Sequence, residues 1–143
     1  MIINIFNHQD TKEIDKKKLK NVVEYVLKKE IGDGNYELNI LITDDEGIIL
    51  YNKYRKKDEP TDVLSFSYGI DQETIGDIVV SVESIERQAP FFNNNFEEEF
   101  FYIIIHGILH IIGYDHENSE EEAKRMFDTQ DRYFEQTIKK GRR

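Results

Sequence analysis

From Phe100 to Ile112 the chain reads FFYIIIHGILHII, thirteen residues broken only by His106, Gly107 and His110. Asn95 and Glu98 stand in register to cap a helix that begins just ahead of this run, and Gly113 behind it suits a left-handed C-cap. A helix that is apolar on nearly every face has to bury itself among other elements. It is too short to cross a bilayer, which takes about 20 residues. The rest of the chain is therefore expected to build its layers around this helix.

The other segments supply those layers. IINIF near the start alternates enough for a first strand. Asp15 to Glu30 carries Leu19, Val22, Val23, Val26 and Leu27 at helical spacing and is ended by Gly32 and Gly34. YELNILIT, Tyr36 to Thr43, reads as a second strand. Thr43 and Glu46 have the spacing of a capping box for a short helix reaching about Arg55. Asp58, Glu59 and Pro60 then form a turn, because Pro60 disfavours the helical region at Glu59. VLSFSY (Val63 to Tyr68) and DIVVS (Asp77 to Ser81) are strand-like runs with a glycine-bounded connection, expected to pair antiparallel. Asn118, Ser119 and Glu122 open a last helix. With 143 residues, no repeat and no linker, residues 1–143 are expected to form a single α+β domain. Its small mixed sheet of about four strands would be packed by helices.

Composition narrows the function. The chain has no cysteine, which removes disulfides, thiolate nucleophiles and cysteine-based zinc sites. Neither a secretory signal nor a membrane span is read, so a cytoplasmic location is expected. A net charge of −10 speaks mildly against nucleic acid, since phosphate neutralisation needs a basic face. The charge is uneven, however. Lys53, Arg55, Lys56 and Lys57 cluster, whereas Lys16 to Lys18 and the terminal Lys139, Lys140, Arg142 and Arg143 read as solvated surface.

Three of the four histidines, His106, His110 and His116, fall within HGILHIIGYDH; His8 lies far off in sequence. His106 and His110 share one helix face, with Cβ atoms about 5–6 Å apart. Gly113 lets the chain double back and bring His116 to the same place. Three titratable groups among Ile, Leu and Gly are costly to desolvate, and a bound metal removes that cost. Neutral nitrogen ligands suit Zn2+, one per chain. Three protein ligands leave a fourth position for water, as in catalytic zinc sites, unless Asp115 or Glu117 closes it.

His-x3-His-x5-His with a glycine before the third histidine matches the long zinc motif of metzincin peptidases, and the helix is expected to be zincin-like. In those enzymes a glutamate general base follows the first histidine; here that residue is Gly107. HGILHIIGYDH instead resembles the HGxLHxxGYDH signature of the YbeY family of metal-dependent endoribonucleases, also described as rRNA maturation factors. YNKYRKKDEPTDVLSF (Tyr51 to Phe66) is similar to that family's arginine-containing segment ending Pro-Thr-Asp-Val-Leu-Ser-Phe, and GDIVVS (Gly76 to Ser81) to its following strand. Ser67 departs from the proline that members commonly carry there.

The resemblance implies zinc on His106, His110 and His116, and Arg55 as the catalytic residue beside the cleft. It implies cleavage of single-stranded RNA in 16S rRNA 3′-end maturation and ribosome quality control. The implied partners are rRNA and the small ribosomal subunit or its assembly factors, with no membrane. Chemistry supports Arg55, because its guanidinium fork can grip two phosphate oxygens; the competing reading pairs it with Asp58 or Glu59. Pro60, Thr61 and Asp62 are read as turn and strand entry, and Asp115 either as a partner of a ligand histidine or as a turn residue. No general base is identified, so zinc-bound hydroxide and the RNA 2′-hydroxyl both remain as nucleophile. Two other functions fit the histidines: a residual metallopeptidase, and a non-catalytic ribosome-assembly module whose zinc staples helix to turn.

Overall fold

A computed structural model describes residues 1–55, 57, 59 and 61–139. The order is β1 (Ile2–Asn7), α1 (Lys16–Ile31), β2 (Glu37–Thr43), α2 (Asp45–Asn52), a 3-10 turn (Lys53–Arg55), β3 (Val63–Ser67), β4 (Thr74–Ser81), α3 (Val82–Gln88), a second 3-10 turn (Ala89–Phe92), α4 (Phe96–Ile111) and α5 (Glu120–Thr137). The four strands form one mixed sheet in the order β1-β2-β4-β3. β1 and β4 both run parallel to β2, and β3 runs antiparallel to β4 as expected. The α+β class therefore holds.

Period-two alternation sends the strands' side chains to two faces. Leu38, Ile40, Ile42, Ile78 and Val80 join the main core beneath α1 and α4, while Leu64 and Val79 meet Ile48 of α2 on the other face. α4 touches α1, α3, α5, β3 and β4, the central position its apolar composition requires. Gly107 faces the sheet, against Ile78 and Ser65. A Cβ there would lie 3.2 Å from Ile78 and from the Ser65 hydroxyl, so those side chains would have to give by a few tenths of an ångström to admit one.

Several boundaries differ from expectation. α2 is capped by Asp44, which accepts the Gly47 N–H at 2.8 Å, and not by Thr43. Thr43 is still in the ladder, paired with Ser81, so the helix can start only one residue later. α2 ends at Asn52, and Lys53 to Arg55 continue as a tighter 3-10 turn. β4 begins three residues before the DIVVS run. α3 was not expected at all: Ser81 ends β4 and also caps the helix through the Ser84 N–H. Of the expected turn, Asp58 and Pro60 lie outside the described residues, as do Lys56, Lys140, Arg142 and Arg143.

Candidate functional site

The site is assembled by the end of α4. The Asn95–Glu98 capping box starts that helix as expected. At the other end Gly113, at φ +113°, gives its N–H to His110 O at 3.2 Å, and Tyr114 gives its own to Leu109 O at 3.0 Å. This pair of bonds is a Schellman motif, and it turns the chain back along the helix it has just left. Tyr114 is then tied to Glu30 at the end of α1 (2.7 Å). His116 returns beside His106, their ring centres 5.1 Å apart.

All three histidines line one cleft of about 430 Å³, and Arg55, Asp62 and Glu117 line it with them. The four residues singled out in the sequence thus meet in one place. His8 lines other hollows, at the end of β1. Arg55 reaches the cleft from the exposed 3-10 turn. Buried Asn52 donates a side-chain N–H to Glu59 O at 2.9 Å. Among the described residues no ion pair joins Arg55 to Glu59. Asp62 stands at the entry to β3, where its carbonyl accepts the Ser81 N–H at 3.0 Å. Its side chain also enters the cleft, where Gln88 donates to it at 3.1 Å. Asp115 is a turn residue, accepting the Glu117 N–H at 2.7 Å. Glu117 Oε1 lies 4.0 Å from His116 Nε2 and is mostly exposed.

The sequence did not single out Gln130. It is fully buried on α5; its amide N–H donates to Tyr102 O at 3.1 Å, which turns its oxygen to His106 Nδ1, also at 3.1 Å. His106 Nδ1 therefore carries the proton, and Nε2 keeps its lone pair. Burial, aided by the His116 and His110 rings, holds His106 below its ordinary 6.5 despite the Gln130 bond and Asp62. The ring is neutral at pH 7, the form that ligates metal. The signal that could have revealed Gln130 is a lone amide within the apolar stripe Met126, Tyr133 and Phe134.

Whether these residues suit a metal can be tested on their unmet needs. His116 Nδ1 is buried and has no hydrogen-bond partner, an arrangement that costs free energy unless something binds it. Two imidazoles sharing one tetrahedral zinc ion at about 2.0–2.1 Å place their ring centres roughly 5 Å apart, as His106 and His116 are. Among the described residues, no three His, Asp or Glu side chains already have their donors gathered for an ion. Ion binding would have to draw the donors the last step together. The donor chemistry fits zinc.

Fold and cleft define a class: a small mixed-sheet α+β protein whose polar centre is a set of histidines on its central helix and on the turn after it. The family model described as "Endoribonuclease YbeY" matches residues 4–138. The chain is 64% identical to the endoribonuclease YbeY of Petrotoga mobilis over 143 residues, 100% of both chains. It is 44% identical to that of a Sulfurihydrogenibium species, covering 87% of this chain and 85% of the relative. A solution structure of a Thermotoga maritima protein superposes with a TM-score of 0.65 at 35% identity, covering 95% of this chain and 89% of that one. The chain belongs to the YbeY endoribonuclease family.

Proposed function

We propose that the chain is a zinc-dependent endoribonuclease that cuts single-stranded rRNA in the cytoplasm, in 16S rRNA 3′-end maturation and ribosome quality control. The small ribosomal subunit or its assembly factors would present the substrate. One observation carries the reading: His106, His110 and His116 line the same cleft as Arg55. The names of the relatives support it.

The three imidazoles would hold the ion, with His106 kept neutral by burial and its proton held on Nδ1 by Gln130. Zinc, when bound, supplies Lewis-acid charge beside the scissile phosphate. Arg55 grips the non-bridging oxygens, on which negative charge builds as the bond breaks. Lys57, also on the cleft wall, adds positive charge along the strand's path. Gly107 is filled by sheet packing and offers no base, which speaks against the peptidase reading. The assembly-module reading requires a closed coordination shell, for which Glu117 and Asp62 are the carboxylates that line the cleft among the described residues.

The test pairs elemental analysis with cleavage of labelled single-stranded RNA, with and without chelator. Wild type should carry zinc and lose cleavage on chelation. His110→Ala should lose both metal and activity. Arg55→Ala should keep its zinc and cut slower by on the order of 10²–10³-fold. Wild-type cleavage by metal-free His110→Ala protein would sink the proposal.

A further inference from the structure

Beside the histidine cleft lies a second hollow of about 440 Å³, and the two share Asp62, Val63 and His106. Its walls are largely aromatic. Tyr102 comes from α4, Phe92 from the 3-10 turn after α3, and Phe127 from α5. The Phe127 ring stacks on His106, with centroids 6.0 Å and planes 28° apart, and lies tilted against His116 at 5.8 Å. Even so, Phe127 is 38% exposed and Phe92 37%. Asp131 accepts the Tyr102 hydroxyl at 2.8 Å, and Asp62 stands at the junction of the two hollows.

We propose that this hollow receives one unpaired nucleobase of the RNA strand, next to the phosphodiester held at Arg55 and the histidines. The inference rests on the ribonuclease reading and names the part of the substrate that this wall recognises. Proteins hold single strands by stacking bases on aromatic rings while basic groups follow the phosphates. Here the two halves of that arrangement are adjacent: Arg55 and Lys57 line the first hollow, with Asp62 and Glu117 on its wall as well, and rings line the second. Asp131, which lines the second hollow and not the first, disfavours a phosphate there, whereas a base edge can donate an amino hydrogen to Asp62 at the junction. The volume falls in the range that encloses small organic groups, about 300–1,000 Å³. A chain of net charge −10 also attracts phosphate weakly, so stacking has to supply much of the grip.

The experiment uses zinc-loaded protein and a short single-stranded RNA with one mapped cut, in which an abasic nucleotide is walked along the strand. For wild type, the abasic residue should lower kcat/KM by about 5- to 150-fold at one position flanking the cut and little elsewhere. Phe127→Leu and Phe92→Leu should each lower kcat/KM on intact RNA, yet on RNA abasic at that position they should match wild type. Zinc content is measured in parallel. The Phe92 variant, altered on a different element, guards against damage to the histidines through Phe127.

Equal abasic effects at every position, or losses in the variants that persist on abasic RNA, would overturn the base pocket while the nuclease stands. RNA left uncut by wild-type protein with zinc would remove the nuclease reading and the pocket with it.

Discussion

At the scale of single residues, the cleft depends on side chains that never touch solvent. Gln130 has one amide, and both of its ends are used: the N–H on Tyr102 O, the oxygen on His106 Nδ1. The first bond sets the amide's orientation and the second sets the tautomer. A substitution that keeps bulk but removes both functions, Gln130→Leu, leaves His106 Nδ1 without its acceptor and the ring free to turn. Groups that orient metal ligands in this way typically contribute about 10- to 100-fold in affinity. Zinc affinity of Gln130→Leu, measured by competition with a chromogenic chelator, should fall by that factor. Its far-ultraviolet circular dichroism should remain that of wild type. Unchanged affinity would show that His106 needs no such support.

At the scale of elements, what could be read in advance was whatever carries its own local signal. α4 announced itself through its length of apolar residues, its Asn95–Glu98 box and Gly113, and the His106/His110 pair came with it. α3 carried no such signal, because β4 runs into it without a turn and Ser81 serves as both ladder residue and cap. Gln130 offered only its place as an amide in the apolar stripe of α5, and Phe127 offered nothing, since their roles exist only once α5 lies against α4. The α2–α3 junction is a third case. Asp45 accepts from the Ser81 and Ser84 hydroxyls, both at 2.6 Å, and pairs with Arg87 at 2.7 Å. Burial pushes its carboxyl up, but those three partners outweigh burial and hold it below its ordinary 3.8. Its stabilising effect is then complete above the unfolded value and is lost as pH falls through the folded one. Asp45→Asn should cost about 1.5–3 kcal/mol at pH 7, as hydrogen bonds to a charged group do. It should also flatten the loss of stability below pH 3.8. Urea unfolding across that range checks both, and an equally steep acid limb in the variant would assign the acid sensitivity elsewhere.

At the scale of the molecule, a protein of net charge −10 has to hold a polyanion. Its described cations near the cleft are few: Arg55 and Lys57 in the lining, and Lys53 in the exposed turn beside them. Each phosphate neutralised on a single strand contributes about −0.7 to the slope of log affinity against log salt, so three contacts give roughly −2. The acidic remainder acts in the opposite sense. It repels RNA over longer distances, and added salt screens that repulsion first. The observed slope should therefore lie between about 0 and −2, and raising salt from about 50 to 200 mM should weaken binding by no more than roughly 15-fold. The measurement is KM for a short single-stranded RNA across that salt range, with zinc held constant. A slope near −2 that flattens in Lys57→Ala and Arg55→Ala would place the strand across this cluster. A slope steeper than about −4 would require more phosphate contacts than these three side chains can make, and the strand would then have to cross basic surface elsewhere. A shallow slope would have a functional consequence. With so little attraction from bulk charge, base stacking beside the histidines would decide which strand is held.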